Sequence, residues 1–256
     1  MGLFDKKYCS VCGAKIGLLG NRKLEDGNLC GDCAKKLSPF FSERKNSTVE
    51  EIKEQLSYRE ENKNAVAALH VTRTLGERTK FLLDEDQLKF VVSSDRKWMD
   101  ANPDVLDYSM VTGVNINVSE NRRELKQKDS EGKDISYNPP RYRYSYDFYI
   151  TLSVNHPYFS EIKVKINDRT VEIENDGRRA HDPFDNPQYV NYNKMCEEIK
   201  TTLTDARKIV RQHAEEAAKK AEEAARPKAA VVCPHCLATT IPDENGRCEY
   251  CGGAVN

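Results

Sequence analysis

Eight of the nine cysteines stand in four Cys-x-x-Cys pairs, and thiolates at that spacing can close on one soft metal ion. Near the N-terminus Cys9 and Cys12 precede Gly13, and 17 residues separate Cys12 from a second pair, Cys30 and Cys33. Near the C-terminus Cys233 and Cys236 are followed, after 11 residues, by Cys248, Cys251 and Gly252. Each pair thus has a partner at ribbon spacing, and glycine behind a second cysteine permits the tight turn a knuckle needs. Four thiolates complete a tetrahedral site with no open position, so the expectation is two structural zinc ions and no catalytic metal. Disulfides and an iron site of rubredoxin type are the alternatives. His235 lies inside a knuckle and reads as a bystander. The ninth cysteine, Cys196, lies beside Met195 on a helix and reads as core.

The two sites are not alike. Cys33 is followed by Ala34-Lys35-Lys36-Leu37, which reads as a helix start and makes the first module treble-clef-like. The second module has no room for a helix and reads as a short zinc ribbon. Residues 1–37 hold seven bases and four acids, about +1 once a tetrathiolate zinc is included; residues 228–256 hold two bases and three acids, about −3 with the metal. Neither is a phosphate-binding footprint, although Arg22, Lys23, Lys35 and Lys36 leave weak nucleic-acid binding as an alternative for the first module.

No other constellation in the chain points to chemistry. GxGxxG, P-loop, GxSxG and HExxH patterns are missing, and the five histidines share no spacing. His181-Asp182 and Asn155-His156-Pro157 are the only polar groupings of note, and both read as solvated loop positions. The expectation is no enzyme, no small-molecule substrate and no catalytic residue.

The elements that carry these residues separate by composition. The domains expected are a four-cysteine finger over 1–46, a connecting helix over 47–70, an antiparallel β domain over 71–190, a long helix over 191–227 and the ribbon over 228–256. The connecting helix has Ser47 or Thr48 as cap and Ile52, Leu56, Ala65 and Leu69 at helical spacing. Strands are expected over 81–83, 88–92, 110–118, 142–154 and 162–166. There Val114, Ile116 and Val118 alternate with asparagines, and Ile162, Val164 and Ile166 with lysines. Tyr142, Tyr144, Tyr146 and Phe148 read as one strand's inward face rather than a nucleic-acid platform. Residues 119–141 read as an exposed, mobile hairpin tip and 176–190 as a loop. The long helix has Asn191 or Asn193 as cap, an apolar stripe of Met195, Ile199, Leu203, Ala206 and Val210, and Pro227 as its stop. Its Ala/Glu/Lys second half reads as an exposed spacer.

The segment from Cys9-Ser-Val-Cys12-Gly13 to Cys30 and Cys33-Ala-Lys-Lys-Leu-Ser-Pro-Phe-Phe resembles an uncharacterised bacterial zinc-finger family, a domain of unknown function. That resemblance covers about 60 residues and implies a zinc-bound module without an assigned activity. The strand region with the first half of the long helix is similar in pattern to PH-like or GRAM-like barrels. That implies a barrel or sandwich plugged by a helix, binding lipids, peptides or partner domains, although Lys80, Lys89, Arg96 and Lys97 stand scattered among acids. The fold class expected is α+β, with zinc modules flanking an antiparallel β-barrel or sandwich and a long C-terminal helix. Lysine plus arginine number 40 against 41 acids, no stretch reaches the length of a membrane span, and the opening Met1 to Tyr8 lacks an export signal. The expectation is therefore a cytoplasmic adaptor with a protein partner, with binding to a membrane surface as the alternative.

Overall fold

Short hairpins and one helical turn build the N-terminal module. Strands β1 (Lys7–Tyr8), β2 (Lys15–Ile16), β3 (Arg22–Lys23) and β4 (Asn28–Leu29) pair as β1–β2 and β3–β4, and α1 (Gly31–Ala34) follows. In the computed structural model, which describes residues 6–225, 230–243 and 245–255, this module belongs to the first of two compact units, Met1–Val210 and Arg211–Asn256. Ile16, Leu24, Leu29 and Leu37 form its core with Ile52 from helix α2 (Val49–Ala68).

Thr48 starts α2 through a capping box. Its side chain accepts from the Glu51 N–H while the Glu51 carboxylate accepts from the Thr48 N–H. Of the expected stripe, Ile52 and Leu69 are buried and Leu56 and Ala65 half-buried, but the buried face of the helix also takes in Gln55, Arg59, Asn62 and Val66. The reason is the partner: mid-helix α2 packs on the polar loop 102–105, to which Arg59 and Asn62 hydrogen-bond.

Two open antiparallel sheets of four strands come next. The first runs β5 (Arg73–Leu75), β6 (Lys80–Asp84), β7 (Lys89–Ser93), β8 (Leu106–Asp107), with one helical turn, α3 (Trp98–Ala101), before β8. The second holds β9 (Val111–Lys128), β10 (Asp134–His156), β11 (Phe159–Lys165) and β12 (Val171–Asn175); β10 pairs with β9 on one edge and with β11 and β12 on the other. Neither sheet closes into a barrel. Leu88, expected within a strand, instead occupies a left-handed turn position before β7, at φ 56.

Alternation along β10 is strict from Tyr146 onward: Tyr146, Phe148, Ile150, Leu152 and Val154 are buried. Together with Phe81, Phe90, Leu106, Ile162 and Val171 they form one core under both sheets, and α4 (Pro187–Ala225) adds Tyr189, Cys196, Ile199, Leu203 and Ala206. Of the aromatic run expected to face inward, Tyr146 and Phe148 are buried and Tyr144 packs against the core, whereas Tyr142 lies beyond it under Arg122; Arg143 on the other face pairs with Glu172 and Glu174.

Two segments differ from expectation. Residues 119–141 are strand over most of their length: β9 and β10 stay paired to Lys128 and Asp134, and only 129–133 turn. Pro139 and Pro140 fall in the register shift between Ser136 and Arg141, where the ladder is already broken. Helix α4 begins at Pro187 rather than at 191, because Asn186 caps it by accepting from the N–H groups of Gln188 and Tyr189. Residues Ala214 to Ala221 are exposed. The expected stop at Pro227 lies outside the described residues. No described helix is long and apolar enough to cross a membrane. The C-terminal module holds β13 (Val231–Val232) paired with β14 (Thr239–Thr240) and a bridge between Arg247 and Ala254.

Candidate metal centres

Three of the four pairs share one backbone design. The Cys9 N–H donates to Ala14 O and the Gly13 N–H to Cys9 O; Cys233 and Leu237 repeat this with Ala238 and Cys233, and Cys248 and Gly252 with Gly253 and Cys248. The residue after the second cysteine is left-handed in each, at φ 72 for Gly13, 60 for Leu237 and 68 for Gly252. The fourth pair is helical. Cys30 caps α1, and its Sγ accepts from the Cys33 N–H at 3.4 Å. The expected helix therefore starts before Cys33 and is one turn long.

Two glycines match the left-handed requirement, and Leu237 does not. A leucine there costs about 1–2 kcal/mol, and its side chain is exposed, so nothing is lost by removing it. Leu237→Gly is expected to raise the stability of the C-terminal module by about 1 kcal/mol, read as a higher denaturant midpoint for metal release. A lower midpoint would mean that the leucine packs.

Both quartets converge. In each of the groups Cys9, Cys12, Cys30, Cys33 and Cys233, Cys236, Cys248, Cys251, all four Sγ atoms lie within 4.8 Å of one another. Separations within the quartets include 3.7 Å for Cys12–Cys30, 3.6 Å for Cys233–Cys251 and 3.7 Å for Cys236–Cys248. Four sulfurs about 2.3 Å from a central ion span tetrahedral edges of about 3.8 Å, whereas a disulfide needs about 2.05 Å. All nine cysteines are free thiols. The donor sets fit one ion each.

The electrostatics fit as well. Burial opposes ionisation of Cys9, but the N–H groups of Cys12, Cys30 and Val11 outweigh it and bring the thiol down to about 6. Cys248 also comes down to about 6, burial being outweighed by the N–H groups of Cys251 and Tyr250. Burial and the neighbouring sulfurs push Cys33 the other way. A cation at the centre removes that conflict by drawing off every thiol proton.

The remaining candidates fall outside these centres. His235 is in neither quartet; its ring lies over Gly253, where a Cβ would come within 2.5 Å of it. Cys196 is fully buried in the sheet core, and burial pushes its thiol up to about 12. His181 stacks on Tyr144 at 3.6 Å and its Nε2 meets the Tyr146 hydroxyl at 2.6 Å, while Asp182 turns away to accept from the Phe184 N–H. His156 bonds the Tyr58 hydroxyl at 3.1 Å, and burial lowers its affinity for a proton.

Tyr58 belongs to a buried polar cluster that sequence reading did not find. Asp104 accepts from Arg59 Nη1 at 2.8 Å, Ser38 Oγ at 2.7 Å and the Tyr58 hydroxyl at 3.3 Å. Arg59 also donates to Lys36 O and Asn102 O. These bonds join the end of the first metal module, α2 and the loop before β8. The helical spacing of Gln55, Arg59 and Asn62 was an available signal; nothing in the sequence marked Asp104.

A chain of mixed helix and sheet with a four-cysteine metal-binding cluster near each end is the class that this fold and these sites define. Within it, residues 7–55 match a protein family described as Domain of unknown function (DUF4428), a stretch that contains the first quartet and ends in α2. Comparisons with curated proteins and with solved structures gave no match.

Proposed function

We propose that the protein is a non-enzymatic, zinc-binding adaptor of the cytoplasm that holds protein partners together. The observation that carries this reading is the surface of the C-terminal module, where Val232, Leu237, Ile241 and Tyr250 stand exposed around a core that, among the described residues, consists of Cys233, Cys248 and Val255. Apolar and aromatic side chains displayed by so small a module suit a protein interface. Zinc is supported by the tetrahedral sulfur edges and by donor sets that leave no position for water. The capped turn carrying Cys33 supports a treble-clef-like first module. Two open sheets and the first half of α4 around one core support a PH-like middle.

The test is affinity capture from lysate of the source organism, with the wild type and a Leu237→Ser/Tyr250→Ser variant, beside metal analysis. The expected result is a partner held by the wild type and lost by the variant, with two zinc ions per chain. Identical partner lists would end the adaptor reading, and iron would end the zinc one.

Lipid binding by the middle domain is the second reading. Arg78, Lys80 and Arg96 line one cleft of about 580 Å³, although Glu77, Asp95 and Asp168 line it too. Weaker binding of Lys80→Ala/Arg96→Ala to anionic vesicles is the expected result.

A further inference from the structure

The connection from β2 to β3 puts two adjacent leucines into water. Gly20 N–H donates to Gly17 O at 3.0 Å, so Leu18 and Leu19 are the central residues of a tight turn. Leu18 is 86% exposed and Leu19 90%, the highest values among the exposed large hydrophobic side chains of the described residues. The core of the module does not use them. Gly17 has neither a left-handed backbone nor a neighbour that a Cβ would strike, so local strain does not dictate its glycine. A lone exposed leucine is ordinary, but a contiguous pair at a convex tip marks a surface that meets something apolar.

The charge around the turn says what that is. Lys15 precedes it in β2, and Arg22 and Lys23 follow it in β3, all three exposed. Among the described residues none of the three forms an ion pair. The next acids along the chain, Glu25 and Asp26, lie at the far end of β3, and Asp26 is engaged by the Val49 N–H at 2.8 Å. The turn therefore combines an apolar tip with cations on both of its strands.

We propose that Gly17–Gly20 is a membrane-docking tip: Leu18 and Leu19 enter the interfacial layer of an anionic bilayer while Lys15, Arg22 and Lys23 meet lipid phosphates. Shape favours lipid over protein. A convex tip would need a matching cavity in a protein partner, whereas a fluid bilayer yields around it. Two leucines alone hold a membrane weakly, and three cations alone do so as well; the two contributions together give stable, salt-sensitive binding. This site shares no residue with the Arg78–Lys80–Arg96 cleft and does not depend on the adaptor reading.

The experiment is sedimentation of the full, metal-loaded chain with vesicles of phosphatidylcholine, with and without phosphatidylserine, at low and high salt. The expected result is binding to the phosphatidylserine vesicles that weakens with salt and falls about tenfold or more in Leu18→Ser/Leu19→Ser. Arg22→Ala/Lys23→Ala should bind less and lose part of the salt dependence. Both sets of substitutions lie on the exposed surface, and unchanged metal content and melting would show the fold intact. Four results would overturn the proposal. One is no binding by the wild type, and another is equal binding by the leucine variant. A third is loss confined to Lys80→Ala/Arg96→Ala, which would place the contact on the sheets. The last is a protein captured through the leucines without lipid binding.

Discussion

Serine in place of Cys233 or Cys248 is expected to unfold residues 231–255 while residues 6–210 stay folded. The C-terminal module has two strands of two residues each and a buried cluster of Cys233, Cys248 and Val255. Two of those three belong to the candidate metal quartet. A segment this short cannot offset its own chain entropy by apolar burial, and modules of this size rely on metals or disulfides. Metal binding and folding are then one reaction, at about 10–16 kcal/mol for a structural tetrathiolate zinc. The variant should hold one ion per chain instead of two, and amide exchange over 231–255 should rise to the unfolded rate. A strong chelator should have the same effect on the wild type. Retained exchange protection in Cys233→Ser would refute the argument. Cys9→Ser should behave differently. The N-terminal module has a core of its own in Ile16, Leu24, Leu29, Leu37 and Ile52, and Ile52 belongs to α2. Loss of that ion should lower the stability of the first unit and leave α2 partly protected.

Arg59→Met is expected to destabilise the first unit by about 3–5 kcal/mol. The Arg59 side chain is 7% exposed and that of Asp104 0%, so their ion pair is buried. Without the guanidinium, Asp104 keeps only the Ser38 and Tyr58 hydroxyls and must either remain an uncompensated charge or take up a proton. The carbonyls of Lys36 and Asn102 lose their donors in the same step. Replacing both partners, Arg59→Met with Asp104→Leu, should recover much of the loss, because no charge is then stranded. Urea denaturation of the two single variants and the double variant gives the coupling directly. A cost below about 1 kcal/mol for Arg59→Met, the range of exposed pairs, would show that water reaches the carboxylate.

Legibility tracked how local each determinant is. The metal quartets were readable because Cys-x-x-Cys places two sulfurs within four residues, and Gly13 and Gly252 meet a backbone requirement beside them. The start of α2 was readable from Thr48 and Glu51, and the inward face of β10 from its alternation. The long β9–β10 ribbon was not. From Asp134 to Arg141 it has no third strand beside it among the described residues, and its alternation, Ile135 and Tyr137 between Asp134, Ser136 and Asn138, is short and ends at Pro139-Pro140. The start of α4 was placed four residues late because the buried Tyr189 belongs to the sheet core, which the local pattern does not reveal.

By itself the sequence determined which eight side chains could take metal, the apolar strand segments at the heart of the sheets and where α2 begins, because each is set by neighbours a few residues away. Only the tertiary structure decided that the pairs close into two quartets rather than disulfides. It also decided that the sheets stay open and that Arg59 lies buried. The charge of Arg59 is met by Asp104, 45 residues on, and a contact across that distance exists only once the chain has folded.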